Sequence, residues 1–299
     1  MERIVIIGGM TACGKSAVAV ELAKMLDGEV VSADSAQIYR GMDIGTAKVT
    51  AAEMQGVPHH LIDELMPDKA YNVAVFKAMA QERIKEIAKR GRVPIICGGT
   101  GFYINALVYN ADFDGGQADL ELRAMLEKED SDGLFERLKI IDPKAAESIP
   151  KNNTKRIIRA LEYHATTGQR ISEHNEQQKA RQPAYDARIF VLFSERATMY
   201  ERINRRVDEM LENGLVAEVS GLLERYDPAL TSMQAIGYKE IAQHLQGNCT
   251  LQEAIDAIKQ GTRRFAKRQV TWFRHQLPQA DWIDVDIQEN VAKSILDML

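Results

Sequence analysis

RIVIIGGMTACGKS, spanning Arg3 to Ser16, is the stretch on which the reading of this chain turns. Its first half, from Ile4 to Ile7, is an unbroken apolar run, as in a strand buried on both faces of a parallel sheet. Its second half fits G-x-x-x-x-G-K-[ST], with Gly9, Gly14, Lys15 and Ser16 at the fixed positions. In such a loop, successive backbone N–H groups turn toward phosphate oxygens, and the following helix points its positive end at them. The expected di- or triphosphate site is Gly9, Met10, Thr11, Ala12, Cys13, Gly14, Lys15 and Ser16. Lys15 is expected to reach the terminal phosphate, and the Ser16 hydroxyl to ligate Mg²⁺. The loop does not say whose phosphates these are.

Outward from the loop, the helical spacing of Ser16 to Leu26 places Val18, Leu22 and Met25 on one face. EVVSADS reads as a second strand ending at Asp34, and VAVFKAMAQERIKEIAKRG as an amphipathic helix closed by Gly91. VPIICGGTG is a third buried strand ending at a glycine turn. This alternation predicts an α/β core with a parallel sheet and right-handed crossovers. From about Asp112 the strand signals stop and charged, helix-rich sequence follows, until RIFVLFS returns as another buried strand. The expected plan is a core of residues 1–112 and 186–299 with a helical insertion at 113–185. After the returning strand, helices are expected over Arg196–Asn213, Leu215–Tyr226, Gln234–Leu245 and Leu251 to about His275, then a short DWIDV segment and a final helix.

With 45% of its 299 residues hydrophobic, the chain has enough apolar side chains for one large or two smaller domains. Cys13, Cys97 and Cys249 lie far apart without a C-x-x-C pair, which argues against a disulfide framework or a cysteine zinc site and fits a reducing cytosol. The N-terminal run is too short for a signal peptide, and no apolar stretch approaches a membrane span, so a cytoplasmic protein without a membrane partner is expected. A net charge of −5 argues against a general nucleic-acid binder. Its distribution points the other way: Ala257 to Ala280 holds no acid but carries Lys259, Arg263, Arg264, Lys267, Arg268 and Arg274. One strongly basic segment on an acidic protein can meet a polyanion.

Asp34, at the carboxyl end of its strand, falls where open α/β sheets bind ligands, as a general base, a water-mediated Mg²⁺ holder or a turn residue. The strand VPIIC ends in Gly98, Gly99 and Thr100 where a nucleoside triphosphatase would carry an acid, which weakens that reading. His59 and His60 are adjacent, so their side chains diverge and no shared metal is expected. KRIIRALEY sets Lys155, Arg156 and Arg159 along a helix and fits a plain solvated face. Arg202 and Arg206 lie four apart, where either a surface ion-pair helix or neutralisation of a leaving diphosphate is open. TRRFAKRQVTWFR, Thr262 to Arg274, mixes cations with Phe265, Trp272 and Phe273, suiting phosphate contact with stacking or, equally, aromatic core beneath a wet basic face.

Together these motifs resemble the bacterial tRNA dimethylallyltransferases, also called tRNA isopentenyltransferases. The resemblance rests on GGMTACGKS, SADSAQIYRGMDIGTAK, GVPHHLID, CGGTGFYINAL, and SMQAIGYKE with TRRFAKRQVTWFR, in an order and spacing that cover essentially the whole chain. It implies a P-loop kinase-like core with a helical insertion that contacts tRNA. The implied reaction is transfer of a dimethylallyl group from dimethylallyl diphosphate to the exocyclic amine of the adenosine 3′-adjacent to the anticodon. By this resemblance Asp34 accepts the amine proton, and Asp34, Ser35, Ala36 and Gln37 contact the target nucleotide. Lys15, Thr100 and Arg206 join Asp34 in the reaction, Arg206 facing the diphosphate. Expected contacts to the anticodon stem-loop are Thr100, Arg123, Lys155, Arg156, Ile157, Ile158, Arg159, Gln234, Gly237, Tyr238, Lys239, Arg263, Arg264, Lys267, Arg268 and Gln269. Mg²⁺ is the implied cofactor and a monomer the expected state. Met10 and Cys13 stand where the commonest family loop has Pro and Ser. The alternatives are an isopentenyltransferase of free adenine nucleotides, a P-loop kinase of a nucleoside or small metabolite, and an RNA-binding nucleotide switch.

Overall fold

The computed structural model describes residues 1–112, 119–179 and 181–299. Its strands β1 (Arg3–Gly9), β2 (Gly28–Ser32), β3 (His59–His60), β4 (Val93–Cys97), β5 (Asp186–Phe193) and β6 (Asp281–Asp284) form one sheet in the order β3-β2-β4-β1-β5-β6. All the pairings are parallel. β1 lies between β4 and β5, with Ile7 opposite Cys97 on one side and Phe190 on the other. Its apolar run is buried, Ile4 to Ile7 being at most 1% exposed, as its lack of alternation required. The chain first visits β2 and β3 on one side of β1 and later β5 and β6 on the other. The order therefore reverses at β1, and the carboxyl edge there is where such sheets bind ligands.

The chain divides into two compact units, Met1–Val108 with Ala184–Leu299, and Tyr109–Pro183. The expected start of the insertion, residue 113, lies outside the described residues. In the first unit the Ala184 N–H donates to the Val108 carbonyl at 2.7 Å, so the chain leaves and re-enters this unit at neighbouring points. In the second unit the helices Leu120–Leu126, Ser131–Ile141 and Thr154–Thr167 share a core of Leu126, Leu134, Leu138, Ile157, Ile158 and Leu161. Asn153 starts the helix Thr154–Thr167 by accepting the Arg156 N–H, and Gly168 at φ 71° ends it.

Two expected elements are corrected. The helix after the phosphate loop, Lys15–Leu26, buries Ala19, Val20, Leu22 and Ala23, whereas Met25 is 45% exposed. Alanines at 19 and 23 let the helix lie close to the sheet and rotate the interface away from Met25. The helix expected over Gln234–Leu245 is two pieces, a 3-10 turn at Ser232–Gln234 and a helix Tyr238–Leu245, because Gly237 between them takes φ 100°. The basic segment belongs to one continuous helix, Leu251–Gln276, started by a reciprocal cap in which Thr250 accepts the Glu253 N–H and Glu253 accepts the Thr250 N–H. Among the described residues no helix is long and apolar enough to cross a membrane.

Candidate active site

The loop after β1 has the backbone its sequence requires. Gly9 has φ 135°, and a Cβ there would lie 2.2 Å from the Leu192 carbonyl oxygen of β5, so no larger residue fits. Gly14 has φ 80°, and Ala12, not a glycine, is held at φ 63°. Such a conformation costs about 1 kcal/mol or more and is typical of a ligand-binding turn. Among the described residues, no acceptor meets the backbone N–H groups of Ala12, Cys13 and Gly14. Lys15, Ser16 and Ala17 begin the following helix, where the first-turn N–H groups have no partner within the helix. These donors converge as a cradle for an anion. Lys15 Nζ folds back to donate to the Met10 carbonyl at 2.5 Å, close to where a phosphate would recruit it. Met10 and Cys13 turn their side chains into the core, 1% and 3% exposed, and the Cys13 thiol donates to the Met10 carbonyl at 2.8 Å. Cys13 also touches the cradle from beneath, its sulfur 3.9 Å from Lys15 Nζ.

Asp34 sits two residues past β2. Its Oδ1 accepts the N–H of Ala36 at 2.8 Å and of Gln37 at 3.3 Å, an Asx turn that fixes the carboxylate. Among the described residues Oδ2 has no partner. The glycine turn after β4 braces this position: a Cβ on Gly98 would meet the Ala33 carbonyl oxygen at 2.2 Å, and the Thr100 N–H donates to the same oxygen at 3.3 Å. Cys97, at the end of β4, is buried, which pushes its thiol pKa up to about 12.

Cradle and carboxylate open into one cavity of about 750 Å³, lined also by Ser16, Gln37, Lys48 and Arg206. The helix Arg196–Glu212 carries Arg206 inward, half-buried. Burial pushes its guanidinium below the ordinary arginine value, and among the described residues it forms no ion pair and no hydrogen bond. A desolvated arginine without a carboxylate is matched to an incoming anion. Arg202, one turn earlier, is instead held by Asp286 at 2.9 Å. Val30, Ile44, Val49, Ile62 and Met210 supply apolar wall to the same cavity. Thr100 and Ser35 do not line it.

Two residues of this site escaped the sequence reading. Lys48, with 4% of its side chain exposed, bridges Asp43 at 2.6 Å and Asp63 at 2.5 Å on the cavity wall. Glu218 accepts the backbone N–H groups of Asp43, Ile44 and Gly45 at 3.0, 2.8 and 3.1 Å, and the Tyr238 hydroxyl at 2.6 Å, pinning that wall. Charge spacing offered no signal for either: the backbone partners of Glu218 lie 173 to 175 positions away, and the Lys48 pairs, 5 and 15 positions apart, match no i,i+3 or i,i+4 helix spacing. His59 also lines the cavity; burial lowers its pKa, and its Nδ1 lies 2.9 Å from the Val57 carbonyl.

The expected tRNA contacts divide by burial. On the helix Leu251–Gln276, Arg264, Lys267 and Arg268 are exposed and, among the described residues, in no ion pair, while Arg263 is held by Asn204 at 2.6 Å. Gln234 and Lys239 are exposed. In the second unit, Lys155 and Arg156 are exposed, and Arg123 and Arg159 are tethered to buried Glu162 at 2.6 and 3.2 Å. Four expectations are corrected for the side chain. Ile157 and Ile158 are core residues of the second unit, 0% and 5% exposed, and Tyr238 is 0% exposed beneath Glu218. Gln269, 6% exposed, faces the phosphate loop. Gly237 is buried and serves the turn before Tyr238.

Hydroxyl and carboxylate oxygens in the cavity, from Ser16 and Asp34, fit the hard-oxygen preference of Mg²⁺.

Comparison with known proteins gives one result throughout. The sequence model described as IPP transferase matches residues 37–276. A tRNA dimethylallyltransferase of Lachnoclostridium phytofermentans is 50% identical over 281 residues, covering 92% of this chain and 90% of that protein. One from Acetivibrio thermocellus is 46% identical over 303 residues, covering 100% and 96%. Among solved structures, a full-length tRNA isopentenylpyrophosphate transferase of Bacillus halodurans is similar at TM-score 0.75 with 45% identity, over 100% of this chain and 94% of that one. A eukaryotic dimethylallyltransferase acting on tRNA is similar at TM-score 0.86 with 28% identity, over 99% and 78%.

Proposed function

This chain belongs to the IPP transferase family, and on that premise we propose that it is a tRNA dimethylallyltransferase, moving a dimethylallyl group from dimethylallyl diphosphate to the exocyclic amine of the adenosine 3′-adjacent to the anticodon. The observation that carries this reading is the pairing, in one cavity, of an anion cradle and Arg206 with a carboxylate oxygen of Asp34, both the guanidinium and that oxygen being without a partner among the described residues.

The chemistry follows from that pairing. The bond from the allylic carbon to the diphosphate oxygen breaks, the electron pair leaves with the diphosphate, and the adenine nitrogen forms the new bond to carbon. Negative charge grows on the leaving group, and the loop N–H groups, Lys15 and Arg206 are arranged to stabilise it where it develops. The Ser16 hydroxyl would hold Mg²⁺, which when bound would supply positive charge against the same leaving group. An adenine amine is a poor base and loses a proton as it bonds, and Asp34 Oδ2 is the acceptor. The apolar wall of the cavity suits the five-carbon group. The target base must leave its stack to enter, which a single-stranded loop makes inexpensive. Arg123, Lys155, Arg156 and Arg159 on the second unit, Gln234 and Lys239, and Arg264, Lys267 and Arg268 on the basic helix are the proposed phosphate contacts, with Thr100 beside the target nucleotide. A cytoplasmic monomer is part of the same proposal.

The test is mass spectrometry of the nucleosides of unmodified tRNA after incubation with dimethylallyl diphosphate and Mg²⁺, without any nucleoside triphosphate. The expected result is prenylated adenosine at the position after the anticodon. Transfer to free adenine nucleotides with none to tRNA, or phosphorylation of an acceptor that requires ATP, would replace this reading with one of its rivals.

A further inference from the structure

The helix Leu251–Gln276 touches both halves of the site through one side chain. Gln269 is 6% exposed; its Oε1 accepts the Thr11 N–H of the phosphate loop at 2.8 Å, and its Nε2 donates to the Gly99 carbonyl of the turn after β4 at 2.9 Å. One acceptor and one donor fix the amide orientation, since a flipped group would set N–H against N–H and oxygen against oxygen. The fit is close: a Cβ on Gly99 would lie 2.2 Å from Gln269 Nε2. The same helix face presses Phe273 against Gly8 and Trp272 against Gly101, where added Cβ atoms would lie 2.8 and 2.2 Å away. The neighbouring residues Lys267 and Arg268 face outward, exposed and without ion pairs among the described residues.

The bond to Thr11 sets the start of the anion cradle. The bond to Gly99 sets the turn whose Gly98 and Thr100 brace Ala33, the residue before Asp34. A load on the outer, basic face of this continuous helix would thereby reach the phosphate loop and the turn that braces Asp34 together. We infer that Gln269 is a positioning residue that links occupancy of the basic helix by the RNA backbone to the affinity of the cradle for diphosphate. This rests on the reading of that helix as an RNA surface. Linkage of this kind is reciprocal, each ligand raising the affinity of the other by the same factor.

The experiment measures binding of inorganic diphosphate with Mg²⁺, by calorimetry, with and without saturating anticodon stem-loop RNA. The wild-type protein is expected to bind diphosphate about tenfold more tightly when RNA is present, a factor typical of coupled sites. Gln269→Met, which keeps length and volume but has no amide, is expected to reduce the factor to within about twofold while its affinity for RNA alone stays within about threefold. Gly99→Ala displaces the same amide from its other side and is expected to lose the coupling as well, so a poorly folded Gln269→Met protein does not leave the matter open. Wild-type coupling retained in either folded variant, or no coupling in the wild type, overturns the inference. Prenyl transfer by the wild-type protein is measured alongside. A protein that transfers nothing to tRNA defeats the proposed function, whereas an active protein with unaltered coupling in the variants defeats the role of Gln269 alone.

Discussion

Asp34 commits one carboxylate oxygen to its own turn and, among the described residues, leaves the other without a partner, where the proposed function puts the proton acceptor. Asn in its place preserves the turn, since an amide oxygen can accept the same two N–H bonds, and removes the proton acceptor. Asp34→Asn is therefore expected to lower the single-turnover transfer rate by roughly 10²–10⁴-fold, the usual worth of a general base. RNA affinity in a filter-binding assay should stay near wild type, and a parallel loss of both would assign Asp34 a structural role. Asp34 was legible as a candidate from its place at the end of a strand, whereas the spacing of Arg202 and Arg206 left an ion pair and a diphosphate contact equally open, and the family resemblance singled out Arg206. Gln269 was legible only as one more polar residue in a basic run, because what buries it comes from residues some 170 and 258 positions away. Ile157 and Ile158 mislead for the converse reason: a stretch that contacts a ligand alternates with one that holds the core, and side-chain periodicity separates the two only once the helix face is known.

The helix Leu251–Gln276 joins two faces, an inner one with Ala266, Gln269 and Phe273 buried and an outer one on which Arg264, Lys267 and Arg268 are exposed and, among the described residues, in no ion pair. The sequence left open whether the aromatics stack on RNA or belong to the core; Phe273 is 0% exposed and so belongs to the core. If the outer cations meet phosphates, each releases condensed counterions on binding. The double variant Lys267→Ala and Arg268→Ala is expected to weaken tRNA binding and to reduce the slope of log K against log salt concentration by about one per residue. An unchanged slope would take this helix out of the interface. Strands β1, β2, β4 and β5 were readable from their apolar runs, whereas β3, formed by two histidines, and β6, within the short DWIDV segment, carry no continuous apolar run and were not readable as strands. Nor was the break at Gly237 readable, since a glycine inside a helical pattern is compatible with either outcome until its φ is fixed by packing.

Over the whole molecule, the acid response is set partly at the far side of the sheet from the cavity walls just described. Glu29, 2% exposed on β2, is held by Arg90 at 2.7 Å, His60 at 2.7 Å and Arg92 at 3.2 Å. Burial alone would raise its pKa, but the hydrogen bonds from Arg90, His60 and Arg92 outweigh burial and bring it down from 4.5 to about 2. A carboxylate depressed in the folded state contributes stability that is complete above its unfolded value and is lost as the pH falls through the folded one. The wild-type melting temperature should thus drop between about pH 4.5 and pH 2. Glu29→Gln should melt lower at pH 7 and show a shallower fall across that window in scanning calorimetry, and superimposable pH profiles would remove Glu29 as a cause. The helix-rich segment between Asp112 and β5 was readable from its charge, but not the way the chain returns, with Ala184 bonded to Val108. That 2.7 Å bond helps close the seam behind the excursion. Helices can be lengthened, exchanged or added beyond the seam without unpairing a strand, so, on the proposed function, evolution could retune the grip on the nucleic acid as a separate trait while the bond-making chemistry stays untouched.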